Sequence, residues 1–202
     1  MGIDSILQLI PRSQSDNLLS EWGYDLLREY FSIAEQLPRT ASPPLELATG
    51  TGRMCAVLSS IFPWIITGDI SLQEIPRVKQ RVPAQFLNRI QYVQLDMEQL
   101  PFRSDSVQSI VCMNTLHEVT DPTVCLQEMI RIVRYEGTFA VGDFNRTGFD
   151  VMQKIHEQVY HNDHDEGVIT HREIEAILSS AFQSIRIFTT TLNTTYFASH
   201  KR

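Results

Sequence analysis

Chemically capable residues recur in this sequence at one kind of place, the end of an apolar run. The stretch LELATGTGR, Leu45 to Arg53, carries one acid, Glu46, and then breaks into Gly50 and Gly52. Asp69 closes a second apolar run, Asp96 closes a third, and Asn114, His117 and Glu118 follow a fourth. Glycine has no Cβ, so a Gly50–Gly52 turn lets main chain come close to a ligand. A carboxylate beside that turn suits a ligand with a positive end and would repel a pyrophosphate. An acid ending the second strand is where nucleoside-binding sheets hydrogen-bond ribose hydroxyls. His117 is the candidate general base, with Glu118 as its orienting acid.

The elements that must position these groups can be read from apolar periodicity. Leu18, Leu19, Trp22, Leu26, Leu27, Tyr30, Ile33 and Ala34 recur at helical spacing, which predicts one helix over Asp16 to Leu37. Thr40 to Pro44 is a polar linker closed by proline. Strands and helices then alternate. Strands are expected at Leu45–Thr49, Trp64–Asp69, Ile90–Asp96, Val107–Met113 and Thr138–Phe144. Ser71 and Glu74 read as a capping box opening the second helix of the alternation. Asp121 and Pro122 start another helix, which is expected to end near Gly137. A helix follows around Asp150–Tyr160, and Thr170 with Glu173 caps the next. The last two strands, Gln183–Thr191 and Thr194–His200, are too close for a crossover and must form a hairpin. The expected fold class is therefore α/β, a doubly wound, mostly parallel seven-stranded sheet ending in an antiparallel β-hairpin. The chain reads as one domain over 1–202, with 1–40 a helical segment and possible lid and 45–202 the core. In such sheets a ligand binds beyond the carboxyl ends of the strands, where the glycines and Asp69, Asp96, Asn114 and His117 fall.

These residues carry a resemblance. LELATGTGR resembles the first motif of class I S-adenosylmethionine-dependent methyltransferases of the small-molecule type, an acid followed by Gly-x-Gly-x-Gly. GDIS, Gly68 to Ser71, resembles their acidic end of strand two, and QLDMEQLPF, Gln94 to Phe102, their third-strand signature. LQEMIRIVRYEGTFAVGDF, Leu126 to Phe144, is similar to the helix and strand that the family writes as E-x-x-R-x-L-x-P-G-G. The resemblance implies S-adenosylmethionine as cofactor, with S-adenosylhomocysteine as product. It implies that Glu46, Gly50 and Gly52 face its amino-acid end, that Asp69 holds the ribose, and that Ala48 and Asn114 also belong to the cofactor site. Asp96 and the backbone of Met97 would read the adenine amino group, with Ile70 and Met97 sandwiching the ring. The chain departs from the family pattern at Ala48, where glycine is usual, at Gln108, and at Tyr135–Glu136, which replace Pro-Gly.

The implied activity is transfer of a methyl group to an oxygen, nitrogen or carbon atom of a small molecule. A base is needed only if the acceptor must lose a proton. In many relatives the loop carrying His117 faces the acceptor. Trp22 and Tyr24, with Tyr30 and Phe31, are candidates to cover the substrate side. Asn114-Thr-Leu-His117 lacks the Asn/Asp-Pro-Pro-aromatic run of nucleic-acid amino-methyltransferases. Leu100-Pro101-Phe102 resembles the quinone-biosynthesis group without selecting an acceptor. Two rivals stand. Gly50-x-Gly52-x-x-Cys55 partly satisfies a dinucleotide fingerprint. A non-catalytic binding module, or an activating subunit of a partner methyltransferase, would share the cofactor constellation but lack an acceptor cavity.

Composition narrows the partners. The net charge is −7 with no Lys/Arg block, which disfavours nucleic acid. Cys55, Cys112 and Cys125 lie in apolar runs without metal-like spacing and read as buried thiols of a reducing compartment. No run approaches the length of a membrane span and no signal peptide is evident, so a cytoplasmic protein without membrane contact is expected. His156, His161, Asp163, His164 and Asp165 gather in one polar segment whose composition could bind a divalent metal, but the spacing fits no known pattern and the expected reading is a solvated acidic loop.

Overall fold

The structure is a computed structural model describing residues 2–202. The apolar runs become β1 (Leu45–Leu47), β2 (Ile65–Asp69), β3 (Ile90–Gln94), β4 (Val107–Met113), β5 (Val133–Phe144), β6 (Phe182–Thr189) and β7 (Asn193–Lys201). They form one seven-stranded sheet in the order β3-β2-β1-β4-β5-β7-β6. β1 to β5 pair in parallel, and β7 is antiparallel to both β5 and β6. The sheet is thus mostly parallel with a terminal hairpin, as the sequence predicts. The order reverses at β1 and β4, and that switch point is where a crevice must open.

Alternate residues of β4 feed two cores. Val111 and Met113 face one side, with α1 (Ile3–Leu9), α2 (Gln14–Glu21), α3 (Leu26–Ala34), α4 (Arg53–Ile61), α5 (Ile75–Arg81) and α7 (Arg146–Ile155). Ile110 and Cys112 face the other, with α6 (Pro122–Ile132) and α8 (His171–Ala181). All three cysteines are buried and free. Among the described residues no helix is long and apolar enough to cross a membrane.

Four local expectations need correction. The helix predicted over Asp16–Leu37 is two helices. Gly23 adopts a left-handed conformation (φ 85°), and Tyr24 N–H bonds back to Leu19 O, closing α2. Ser71 does not open a regular capping box. It accepts Gln73 N–H at the head of a short 3₁₀ turn, Leu72–Glu74, and α5 starts afterwards with Pro76 in its first turn. The helix expected to reach Gly137 stops at Ile132. Asp105 and Ser106 donate their N–H groups to the carbonyls of Arg131 and Ile132, and Val133 enters the sheet opposite Val107. The third strand ends at Gln94, so Asp96 lies in the loop beyond it.

Two devices shape the ligand end of the sheet. Ala48, directly after β1, sits at φ 58°, where a Cβ crowds the backbone. Its methyl is therefore a conformational cost as well as an added group. Glu128 accepts Leu100 N–H, and Arg131 donates to the carbonyls of Leu100 and Phe102. That explains the E-x-x-R spacing. The pair moors the loop after β3 to α6.

The N-terminal helices are fastened to the body at two points. Asp16 pairs with Arg53 and Arg81 at 2.7 and 2.5 Å, all three side chains being largely buried. Burial alone would raise the Asp16 pKa, but the two guanidinium charges outweigh it and hold the carboxyl well below the usual range. At the other end, Glu29 of α3 accepts from Leu192 N–H (3.1 Å), the Asn193 side chain (2.6 Å) and the Thr190 hydroxyl.

Candidate active site

A cavity of about 620 Å³ opens beyond the ends of the first four strands. That lies within the usual ~300–1,000 Å³ range of small-molecule sites. Glu46, Ala48, Gly50, Asp69, Ile70, Asp96, Met97 and Asn114 all line it. Gly52 stands just behind, at φ 80°. A Cβ there would come within 2.8 Å of Val78, so the start of α4 packs on α5 only without a side chain.

Glu46 is buried, in the middle of β1. It accepts a 2.6 Å hydrogen bond from Thr67, yet burial dominates and pushes its pKa up to about 8. Asp69 is the hub of the turn. One carboxylate oxygen accepts Gly50 N–H at 2.9 Å and the other Ser71 N–H at 3.2 Å. Each oxygen keeps acceptor capacity for a ligand hydroxyl. Asp96 accepts Glu98 N–H at 2.9 Å, which fixes the loop carrying Met97. Ile70 is 67% exposed and Met97 only 8%.

Asn114 has left-handed backbone (φ 53°), which asparagine tolerates. Its Nδ2 donates to the Tyr30 hydroxyl at 2.8 Å. Its Oδ1 is buried and without a donor. Tyr30 therefore joins the N-terminal segment to the cavity wall.

The opposite wall is made by Tyr30, Met113, Phe144, Met152, His156 and Tyr160. Behind it lies His117, 5% exposed. Asp143, at the end of β5, accepts His117 N–H at 3.1 Å and lies 2.6 Å from Nδ1. A carboxylate only accepts, so Nδ1 carries the proton. Burial favours the neutral ring, but the hydrogen bond and charge of Asp143 outweigh it and lift the His117 pKa above the usual value. Nε2 is buried without a hydrogen-bond partner, 3.7 Å from Glu118 Oε1. The His164 ring lies 5.0 Å from that of His117 and 4.5 Å from that of His156. Burial and the neighbouring His117 and His156 push the His164 pKa down to about 4.

The comparisons with known proteins agree with this geometry. Residues 45–141, from β1 to near the end of β5, match the family model described as a methyltransferase domain. Over this span, just under half of the chain, the sequence is similar to a methyltransferase domain. It is 27% identical over 147 residues to the ubiquinone/menaquinone biosynthesis C-methyltransferase of Shewanella halifaxensis, covering 70% of this chain and 58% of that protein. It is 30% identical over 146 residues to the corresponding protein of Vibrio vulnificus, covering 70% and 56%. The chain thus spans less than two thirds of the length of these curated relatives. Its fold is similar to that of an S-adenosylmethionine-dependent methyltransferase of Thermotoga maritima, described as a possible histamine N-methyltransferase. There the TM-score is 0.61 at 18% identity, covering 92% of this chain and 96% of that one.

The two ends of the cavity differ in how well the sequence forecasts them. The residues expected at the cofactor end converge. The substrate side needs correction. Trp22 and Tyr24 do not line the cavity; they flank the Gly23 turn and pack against the helical core, while Tyr30 takes the wall position. His117 does not face the cavity either. It stands one layer behind, oriented at Nδ1 by Asp143 and not by Glu118, which itself is on the wall. The segment read as a solvated loop brings His164 half-buried against His117. Asp143 is absent from the sequence reading because an acid two residues after an apolar strand core has no local signature.

Proposed function

We propose that this chain binds S-adenosylmethionine in the cavity and transfers its methyl group to a carbon, nitrogen or oxygen atom of a small-molecule acceptor. The observation that carries the reading is one wall with two buried or semi-buried carboxylates, Glu46 and Asp69, joined by the glycine turn. The donor set fits the ligand. Glu46, reluctant to ionise alone, matches a cationic amino-acid end. The unsatisfied Asn114 Oδ1 is an acceptor waiting for a donor, which an ammonium provides. Asp69 takes ribose hydroxyls, Ile70 and Met97 flank the adenine, Asp96 accepts from its amino group and Met97 N–H donates to the adjacent ring nitrogen.

S-adenosylmethionine supplies a methyl carbon already activated by the sulfonium. The chain's task is to hold the nucleophile in line with it and exclude water. Tyr30, Met113, Phe144 and Met152 give an apolar and aromatic wall for that purpose. The curated relatives' names specify C-methyl transfer in quinone biosynthesis, which favours a ring carbon of a small aromatic acceptor. The acidic surface argues against nucleic acid as acceptor, and the three free, buried thiols fit the cytoplasm.

The test is a thermal-shift screen of the full chain with S-adenosylmethionine, S-adenosylhomocysteine and NAD. Assays with methyl-labelled cofactor and demethylated naphthoquinols follow. Stabilisation by both adenosyl ligands and label in the quinol are expected. Stabilisation by NAD alone would overturn the cofactor reading. Adenosyl binding without label in any acceptor would favour the non-catalytic module.

A further inference from the structure

Three groups separated in sequence meet at the rear of the acceptor wall. One ring nitrogen each of His117 and His164 and a Glu118 carboxylate oxygen lie within 4.8 Å of one another, and Glu118 Oε1 is 3.7 Å from His117 Nε2. We propose that they bind a divalent transition-metal ion.

Three independent observations carry this. First, two buried ring nitrogens, Nε2 of His117 and Nδ1 of His164, have no hydrogen-bond partner. Buried polar atoms are almost always satisfied, so two orphans on rings whose centroids lie 5.0 Å apart call for a shared partner. No hydrogen bond joins the two atoms, and a cation would satisfy both rings and the nearby carboxylate at once. Second, His117 is already braced as a metal-ligating histidine is. Its other nitrogen is held by Asp143 at 2.6 Å, the carboxylate–histidine arrangement that fixes tautomer and ring direction. Asp143 is itself held by Phe144 N–H and His117 N–H.

Third, the segment carrying His164 is docked and not loose. His164 N–H donates to the Gln153 side chain at 2.8 Å, and Gln153 in turn bonds Glu157 and Asp163. Gly167, at φ 69°, lies directly on the His117 backbone, where a Cβ would fall 2.5 Å from His117 Cα. The chain therefore comes as close to His117 as a chain can.

Two imidazoles and one carboxylate form a borderline donor set that favours zinc, ferrous, cobalt or nickel ions over magnesium or calcium. Metal–ligand bonds of about 2.0–2.2 Å need the three atoms to draw in by roughly an ångström. Side-chain rotation of exposed Glu118 and of His164 can supply that. Glu118 and His164 both line the cavity, so open coordination positions would face the acceptor. The ion would then hold an acceptor bearing an oxygen donor such as a phenolate or enolate. That last step rests on the methyl-transfer reading; the metal site itself does not.

The experiment uses the full chain stripped with a chelator, with no adenosyl ligand added, so its result is independent of the cofactor reading. Cobalt(II) and zinc(II) are titrated by calorimetry, and cobalt is also followed by visible absorption. One ion per chain is expected, with cobalt d–d bands that zinc bleaches. His164→Ala and Glu118→Gln are each expected to weaken cobalt binding at least tenfold while keeping the metal-free unfolding transition. Since His117 is buried, a His117→Ala variant that fails to fold does not enter the comparison. Absence of stoichiometric binding, or unchanged affinity in the His164→Ala/Glu118→Gln double variant, would overturn the proposal.

Discussion

The main-chain N–H of Gly50 donates to the carboxylate of Asp69 at 2.9 Å, so the glycine turn and the end of β2 form one hydrogen-bonded unit. Asp69 thus has two tasks under the proposed function, holding ribose and setting the turn that receives the amino-acid end. Asp69→Ala is expected to weaken S-adenosylmethionine binding by more than tenfold, while the melting temperature of the ligand-free protein changes little. Asp69→Asn, which keeps one acceptor for Gly50, should lose less. Calorimetry on both variants decides it, and unchanged affinity in Asp69→Ala would remove Asp69 from the site.

Glu46 makes binding of a cationic ligand depend on pH. Its pKa is raised to about 8 by burial, so near neutrality the ligand-free carboxyl is mostly protonated. A cation bound beside it requires the carboxylate, so binding releases a proton. Affinity should fall as pH drops below 8, approaching tenfold per unit, because one pK unit is about 1.4 kcal/mol. The sign for folding is the reverse. A carboxyl whose folded pKa lies above its unfolded value loses stability as pH rises from about 4.5 to 8. Glu46→Gln should flatten both dependences. Calorimetry in buffers of different ionisation enthalpy counts the proton, and a count of zero at pH 7 rejects the coupling.

Only part of this was readable in advance. The parallel order and terminal hairpin followed from alternating apolar runs and from the short final connection. The glycine-turn end of the cavity is legible because its groups sit at or just beyond strand ends, a position local sequence defines. The acceptor side depends on contacts between distant segments. His117 comes from the loop after β4, Asp143 from the end of β5 and His164 from the segment after α7, and no spacing records their meeting. Helical periodicity does not locate Trp22 and Tyr24, because at Gly23 between them the backbone turns left-handed and α2 ends. The α6 terminus was overextended because its last carbonyls are claimed by Asp105 and Ser106, donors that lie earlier in the chain.

The buried triad of Asp16, Arg53 and Arg81 should dominate the protein's acid sensitivity. Removing one partner of a buried ion pair costs roughly 3–5 kcal/mol, because the remaining charge is left without compensation. Asp16→Ala is expected to lose about that much in urea unfolding. The folded pKa of Asp16 is depressed. Its contribution is therefore complete above the unfolded value near 3.9 and lost as pH falls below it. Wild type should lose stability below about pH 4 more steeply than Asp16→Ala. Parallel acid-unfolding curves would contradict the assignment.

The alanine after β1 has a practical meaning for anyone wishing to toughen this molecule. Left-handed backbone costs a non-glycine residue about 1–2 kcal/mol, and a glycine returns some of that through the looser unfolded chain. Ala48→Gly should therefore raise the midpoint of thermal denaturation by the equivalent of about 0.5–1 kcal/mol. It leaves every main-chain donor of the turn in place. The spot that carries ligand-facing backbone is also the one where trimming a single carbon should harden the whole fold.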